Sequence, residues 1–137
     1  MSSIIREATA DDAIAIWKFL EPFFEEHVLL RRTPEEVRDL TKHGFAAFDD
    51  SDCVGFAAVE IYSRKLAEIQ CLAVAENYRS QGIGRQLVHL CAQRAKDLGV
   101  MEVMAITSSD RFLQSCGFDY ALPDQKKALF YQLRPRK

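Results

Sequence analysis

The sequence predicts one α/β (α+β) domain: a mixed sheet with helices on both faces. Three observations carry that prediction. The chain has 137 residues, 48% of them hydrophobic, which suits a single core. Its apolar residues change period along the chain, from alternation to helical spacing and back, so strands and helices interleave. And a strand that is apolar on both faces, Leu66 to Val74, is followed by a glycine-bearing helix start, Gly82-Ile83-Gly84.

The elements follow in order. Ser3 to Ala8 reads as a short strand. Thr9 caps a helix that carries Ile14, Trp17, Phe19, Leu20 and Phe23, and Pro22 should kink or end it. Thr33-Pro34-Glu35-Glu36 opens a second helix: Thr33 caps, Pro34 suits the first turn, and Glu36 closes a capping box. Gly44 can end that helix. Phe45 to Phe48 and Cys53 to Tyr62 form a hairpin around Asp49 to Asp52. Leu66 to Val74 is a central strand, and Ala75 to Gln81 a polar loop. Gly82 to Leu98 is a helix with Leu87, Val88, Leu90, Cys91 and Ala95 toward the core and Gly99 at its C-cap. Met101 to Ile106 is a strand and Ser109 to Cys116 a short helix. Phe118 to Tyr120 and Ala128 to Leu133 are closing strands.

Composition excludes several classes. The net charge is −2, which offers no footprint for nucleic acid or an anionic membrane. No apolar run approaches the ~20 residues of a membrane span. Met1 to Thr9 lacks the pattern of a signal peptide, so a cytoplasmic location is expected. Cys53, Cys71, Cys91 and Cys116 are widely spaced within apolar segments and read as buried reduced thiols. His27, His43 and His89 are scattered, so no metal is expected.

The most informative stretch is Val74 to Arg85, a strand, a loop and a helix start. Two glycines at that turn permit positive φ and close backbone approach. Backbone N–H groups at a helix N-terminus, with the positive end of its dipole, make an anion site. No Gly-Lys-Ser/Thr tripeptide of a Walker loop occurs, and Leu87 stands where a dinucleotide fingerprint needs Gly or Ala. A glycine-rich helix start without a ligand is the competing reading.

Arg79-Ser80-Gln81-Gly82-Ile83-Gly84 resembles the R/Q-x-x-G-x-G/A motif of the GNAT superfamily of N-acetyltransferases, and the element order resembles theirs throughout. The resemblance implies a mostly antiparallel sheet with a splayed central strand pair. It implies acetyl-CoA as co-substrate, held at Arg79, Ser80, Gln81, Gly82, Ile83, Gly84 and Arg85 through its pyrophosphate. It also implies that Leu72, Ala73 and Val74 pair with the pantetheine.

Four further stretches resemble the acetyltransferase module of N-acetylglutamate synthases: Val28 to Thr33, Leu66 to Val74, Phe112 to Phe118, and Leu122 to Leu129. The likeness covers nearly all of this chain and the transferase half of the longer synthases. It implies transfer to a free amino acid, L-glutamate, at the start of arginine biosynthesis. Such a reaction needs a neutral amine, a base and an acid for the departing thiolate. The resemblance places the base at Glu68, with a strand-edge carboxylate beside Lys65 as the plain alternative; Glu60 on the neighbouring strand is the reserve candidate, against a solvated or salt-bridged strand residue. The resemblance places the acid at Ser109, which is also an ordinary N-cap. Leu113 stands where many GNAT enzymes carry a tyrosine. Arg31 or Arg32 and Arg134 fall where the synthases bind substrate carboxylates, a role suited to the guanidinium fork. Backbone near Cys71 is implied to hold the amino group. Phe130-Tyr131 replaces a usual Tyr-Asn, and regulation by arginine is not implied. Homodimerisation is compatible with the sequence. Acetylation of another small amine or of a protein N-terminus is the rival enzyme reading; a silent CoA-binding partner domain is the rival from another class.

Overall fold

The computed structural model describes residues 3–107, 109–121 and 129–135. The chain divides into two compact units, residues 1–105 and 106–137. In the first, five strands form one sheet: β1 (Ile4–Glu7), β2 (Gly44–Asp49), β3 (Asp52–Ile61), β4 (Leu66–Val74) and β5 (Glu102–Met104), in the order β1-β2-β3-β4-β5. Every neighbouring pair is antiparallel except β4 and β5, which are parallel. The mixed, mostly antiparallel sheet is therefore as the sequence predicts.

Helices cover both faces. α1 (Ala13–Glu25) and α2 (Pro34–Leu40) meet one face: Ile16, Leu20, Phe24, Val37 and Leu40 share a buried cluster with Phe56, Ala58 and Ala73. α3 (Ile83–Asp97) meets the other. A Cβ built on Gly55 would lie 3.2 Å from Ile83 Cγ2 and 3.4 Å from Leu87 Cδ1, so the small residue sets how closely α3 can approach. Even-numbered β3 residues thus face α1 and α2, and odd-numbered ones face α3, as strand alternation requires.

Local chemistry explains the starts. Thr33 Oγ1 accepts from the Glu36 amide at 3.1 Å, and Glu36 Oε1 accepts from the Thr33 amide at 2.8 Å. Asp12 Oδ2 accepts from both the Thr9 amide, at 2.7 Å, and Thr9 Oγ1, at 3.1 Å, around a 3₁₀ turn at Ala10–Asp12, ahead of α1 rather than inside it. Several expectations need correction. Pro22 does not end α1, which runs on to Glu25 because Phe24 is buried in the core. Gly44 does not end α2: the helix stops at Leu40, a 3₁₀ turn follows, and Gly44 is extended and begins β2. Leu90 is 36% exposed, off the stripe of Ile83, Leu87, Val88, Cys91 and Ala95. β4 buries Ala67 and Ile69 on one face and Cys71 and Ala73 on the other, with Glu68 and Gln70 only half-buried, so neither face is sealed along its whole length. Cys53 and Cys116 are half-buried, whereas Cys71 and Cys91 are buried, and all four are free.

In the second unit, α4 spans Asp110–Ser115, with Cys116 as its C-cap and Gly117, at φ 103°, just beyond it. Phe118 to Tyr120 and the described residues 129–133 are not strands. The expected strand start at Ala128, and Leu122 to Lys127 of the synthase-like stretch, lie outside the described residues.

Candidate active site

The turn from β4 into α3 has the geometry of an anion cradle. Ser80 and Gly82 are both left-handed, at φ 74° and 80°, and bracket Gln81. A Cβ on Gly82 would meet nothing within 4 Å, so the space over the backbone there is open. Gly82 is the N-cap of α3, whose ladder starts with the Gln86 amide on Gly82 O at 3.0 Å. The amides of Ile83 and Gly84 precede that ladder at the positive end of the helix dipole. The loop is braced from behind. Arg79 Nε donates to Val74 O at 3.1 Å, the Ala75 amide donates to Val54 O at 2.8 Å, and Tyr78 Oη donates to Asp49 Oδ2. Arg85 is exposed. A pyrophosphate fits this cradle: open backbone, positive φ where glycine permits it, and helix amides pointing outward.

β4 supplies the second part. It pairs with β5 only through Leu66, Ala67 and Glu68, opposite Glu102, Val103 and Met104. Beyond Glu68 its ladder continues on the β3 side alone, where Ala73 pairs with Phe56 and Val74 with Gly55. Leu72, Ala73 and Val74 thus have one edge that no described strand pairs, and an extended chain could add there. Between Phe56 and Ala58 the β3–β4 register slips, leaving Ala57 opposite Cys71 and Leu72. This is a β-bulge, and Cys71 takes φ 57° within it. Nothing in Gln70-Cys71-Leu72 announces it, since the positive-φ residue is not glycine.

Around the bulge lies a polar cluster on the α1/α2 face. Glu68 is half-buried and stands directly across the ladder from Glu60. Tyr62 Oη donates to Glu68 Oε1 at 2.6 Å, and Gln70 Nε2 donates to Tyr62 Oη at 3.3 Å. Arg32 Nη2 donates to Gln70 Oε1 at 2.6 Å. Trp17 Nε1 donates to the Arg32 carbonyl at 2.9 Å, fixing the α1–α2 loop. Arg32 Nε is buried and has no hydrogen-bond partner among the described residues. Partial burial first, then Glu68, push the Tyr62 phenol up to about 12. Burial likewise pushes the Cys71 thiol up to about 11, which keeps it protonated and a poor nucleophile.

The two adjacent arginines separate. Arg32 reaches the cluster, whereas Arg31 pairs with Glu25 at 3.1 Å and lies over the Phe24 ring. Ser109 and Arg134 belong to the second unit. Ser109 is the exposed N-cap of α4, with no capping bond from its side chain, and its amide donates to Thr107 Oγ1 at 2.8 Å. Arg134 is exposed. Leu113 is 4% exposed, a core side chain where a phenol would otherwise stand. Sequence reasoning missed Tyr62, Gln70 and Trp17. Hairpin arithmetic offers a signal for one: if residue 60 pairs with 68, Tyr62 lies diagonal to Glu68. Among the described residues no group of His, Cys, Asp or Glu could hold a metal ion. No helix among them is long and apolar enough to cross a membrane.

A sheet whose parallel strand pair parts beside a bulge, with a phosphate-type helix start behind it, suits a phosphate-bearing co-substrate with an extended arm. The chain belongs to the acetyltransferase (GNAT) family, whose model matches residues 8–118. Membership of that family implies acetyl-CoA as co-substrate. The sequence is 34% identical over 114 residues to an uncharacterized N-acetyltransferase of Chlorobaculum tepidum, covering 83% of this chain and 74% of that protein. It is 30% identical over 143 residues to the amino-acid acetyltransferase of Pasteurella multocida, covering 98% of this chain but 32% of that protein. The chain therefore spans about a third of the amino-acid acetyltransferase it matches. Among solved structures, N-acetylglutamate synthase of Neisseria gonorrhoeae, complexed with coenzyme A and N-acetyl-glutamate, superposes with TM-score 0.73 at 23% identity, over 84% of this chain and 27% of that one. The Mycobacterium tuberculosis protein Rv2747, in complex with CoA, superposes with TM-score 0.76 at 24% identity, over 83% of this chain and 70% of that one. The likeness to synthases expected from the residues is borne out at the level of family and fold.

Proposed function

We propose that this protein transfers the acetyl group of acetyl-CoA to the amino group of a free amino acid, with L-glutamate as the preferred acceptor. The observation that carries the reading is Arg32. Trp17 fixes its backbone carbonyl and Gln70 holds its guanidinium, on the same sheet face as Glu68, with a buried Nε lacking a partner among the described residues. A buried donor without an acceptor is costly, and a carboxylate is the acceptor that a guanidinium fork pairs with best. The relatives that carry the name amino-acid acetyltransferase support the same reading.

In this account bound acetyl-CoA supplies the thioester that the amine attacks. The loop at Arg79 to Arg85 and the edge at Leu72 to Val74 hold the co-substrate. Glu68 takes a proton from the amine, directly or through water; for Ser109 the role of acid to the departing sulfur rests on the likeness in sequence alone. Arg32 clamps the side-chain carboxylate, and backbone at the Cys71 bulge orients the amino group; for Arg134 the role of a second clamp rests on the likeness in sequence alone. Arg31 is the weaker clamp, since Glu25 already holds it. A place in arginine biosynthesis and in the cytoplasm is part of the same proposal.

The test is a panel of the twenty amino acids with acetyl-CoA and a thiol reagent, extended to a peptide N-terminus and an aminoglycoside. Glutamate should give the fastest acceptor-dependent thiol release. A peptide or aminoglycoside that outruns every amino acid would sink the reading and leave the family assignment standing.

A further inference from the structure

We infer that Tyr62 and Gln70 form a positioning bridge that couples acceptor engagement at Arg32 to the orientation of the Glu68 carboxylate. The inference rests on the roles proposed above for Arg32 and Glu68. It adds two residues whose side chains serve no other evident purpose. Tyr62 is 50% exposed, so packing alone does not hold its ring.

The bridge has a fixed sense. A guanidinium can only donate and an ionised carboxylate can only accept. Arg32 therefore dictates that the Gln70 amide turn its oxygen toward Nη2, at 2.6 Å, and its nitrogen toward Tyr62, at 3.3 Å. Gln70 Nε2 then fills a lone pair of Tyr62 Oη, and the phenolic proton goes to Glu68 Oε1, at 2.6 Å. Every donor points from the cation toward the carboxylate. Chains of this kind polarise one another, and both ends are charge-assisted.

Two features give the bridge a purpose. Glu60 faces Glu68 directly across the ladder, and like charges at that spacing repel. The Tyr62 proton offsets that repulsion and fixes Oε1, which leaves Oε2 to take the amine's proton. The phenol itself is carried on a rigid mount: the amides of Tyr62 and Ser63 both donate to Leu66 O, at 3.0 and 3.2 Å, closing the β3–β4 hairpin. An acceptor carboxylate that engages Arg32 competes for the guanidinium that orients Gln70, so acceptor binding is felt at Glu68.

The experiment is a double-mutant cycle on the full chain, read by thiol release with L-glutamate and acetyl-CoA. Tyr62→Phe removes one hydroxyl from a half-exposed ring. It should lower kcat roughly 10- to 100-fold, the scale of one hydrogen bond to a charged group, with the KM for acetyl-CoA unmoved. Gln70→Leu should in addition raise the KM for glutamate, because Arg32 loses the group that aims it. In a Glu68→Gln background, Tyr62→Phe should cost nothing further. Full kcat in Tyr62→Phe beside a crippled Glu68→Gln overturns the bridge and leaves the base standing. Additive losses also overturn it. Full kcat in Glu68→Gln, or no turnover with glutamate, overturns the base or the acceptor reading, and the bridge with it.

Discussion

Gly82→Ala tests the cofactor cradle with the smallest change available. Gly82 sits at φ 80°, and a Cβ there would touch nothing within 4 Å. The substitution therefore removes no packing and creates no clash within the chain. Its cost is backbone strain: an L-residue in the left-handed region pays roughly 1–2 kcal/mol. The loop can shed that strain by leaving the left-handed conformation, which turns the helix-start amides away from the ligand. Since about 1.4 kcal/mol is tenfold in affinity, CoA should bind roughly 5- to 30-fold more weakly. Titration calorimetry measures this directly, with the melting temperature of the free protein as control for folding. Gly82→Val, which adds bulk where the pyrophosphate must approach, should lose more affinity than Gly82→Ala. A Gly82→Ala variant that binds CoA within a factor of two of the parent would refute the cradle.

Other sites give further expectations. Glu68→Gln should lower kcat by about 10²–10⁴-fold, the range of general base catalysis, while calorimetry finds CoA affinity unchanged. Gly55→Val should destabilise the fold by about 1–3 kcal/mol in urea titration, because its first methyl already lies 3.2 Å from Ile83 and 3.3 Å from Ala47. Arg6, bonded to Asp12 at 2.8 Å, holds that carboxyl at about 2, below its ordinary 3.8. The folded form has the lowered value, so this stabilisation is present above about pH 4 and is lost as pH falls toward 2. Asp12→Asn should thus flatten the loss of stability across that window, read by urea titration, by on the order of 1 kcal/mol for a half-exposed pair.

What the sequence discloses is chiefly what local chemistry controls. Thr33, Pro34 and Glu36 specify a helix start through bonds within four residues, and they form it. Gly82 is legible for a similar reason, since a left-handed cap after a strand needs glycine. Pro22 misleads because the burial of Phe24 outweighs the proline's cost to the last turn. The closing strands fail because alternation in Phe118 to Tyr120 and in residues 129–133 cannot supply a partner edge. In the site, the family resemblance pointed to Glu68 and to Arg31 or Arg32, but it did not say that Gln70 and Tyr62 would join them. That link depends on the β3–β4 register and on a bulge at Cys71, both properties of the paired strands rather than of either segment.

The acceptor clamp is the claim on which the functional account turns. The measurement that tests it most directly is the ratio of kcat/KM for L-glutamate to that for L-alanine, in the parent and in Arg32→Ala. A guanidinium that pairs with a substrate carboxylate contributes about 1.5–3 kcal/mol, so the parent should favour glutamate by roughly 10- to 150-fold. Arg32→Ala should bring the ratio most of the way toward unity, with the KM for acetyl-CoA unchanged. A ratio that is the same in both proteins, or an alanine preference in the parent, would contradict the account.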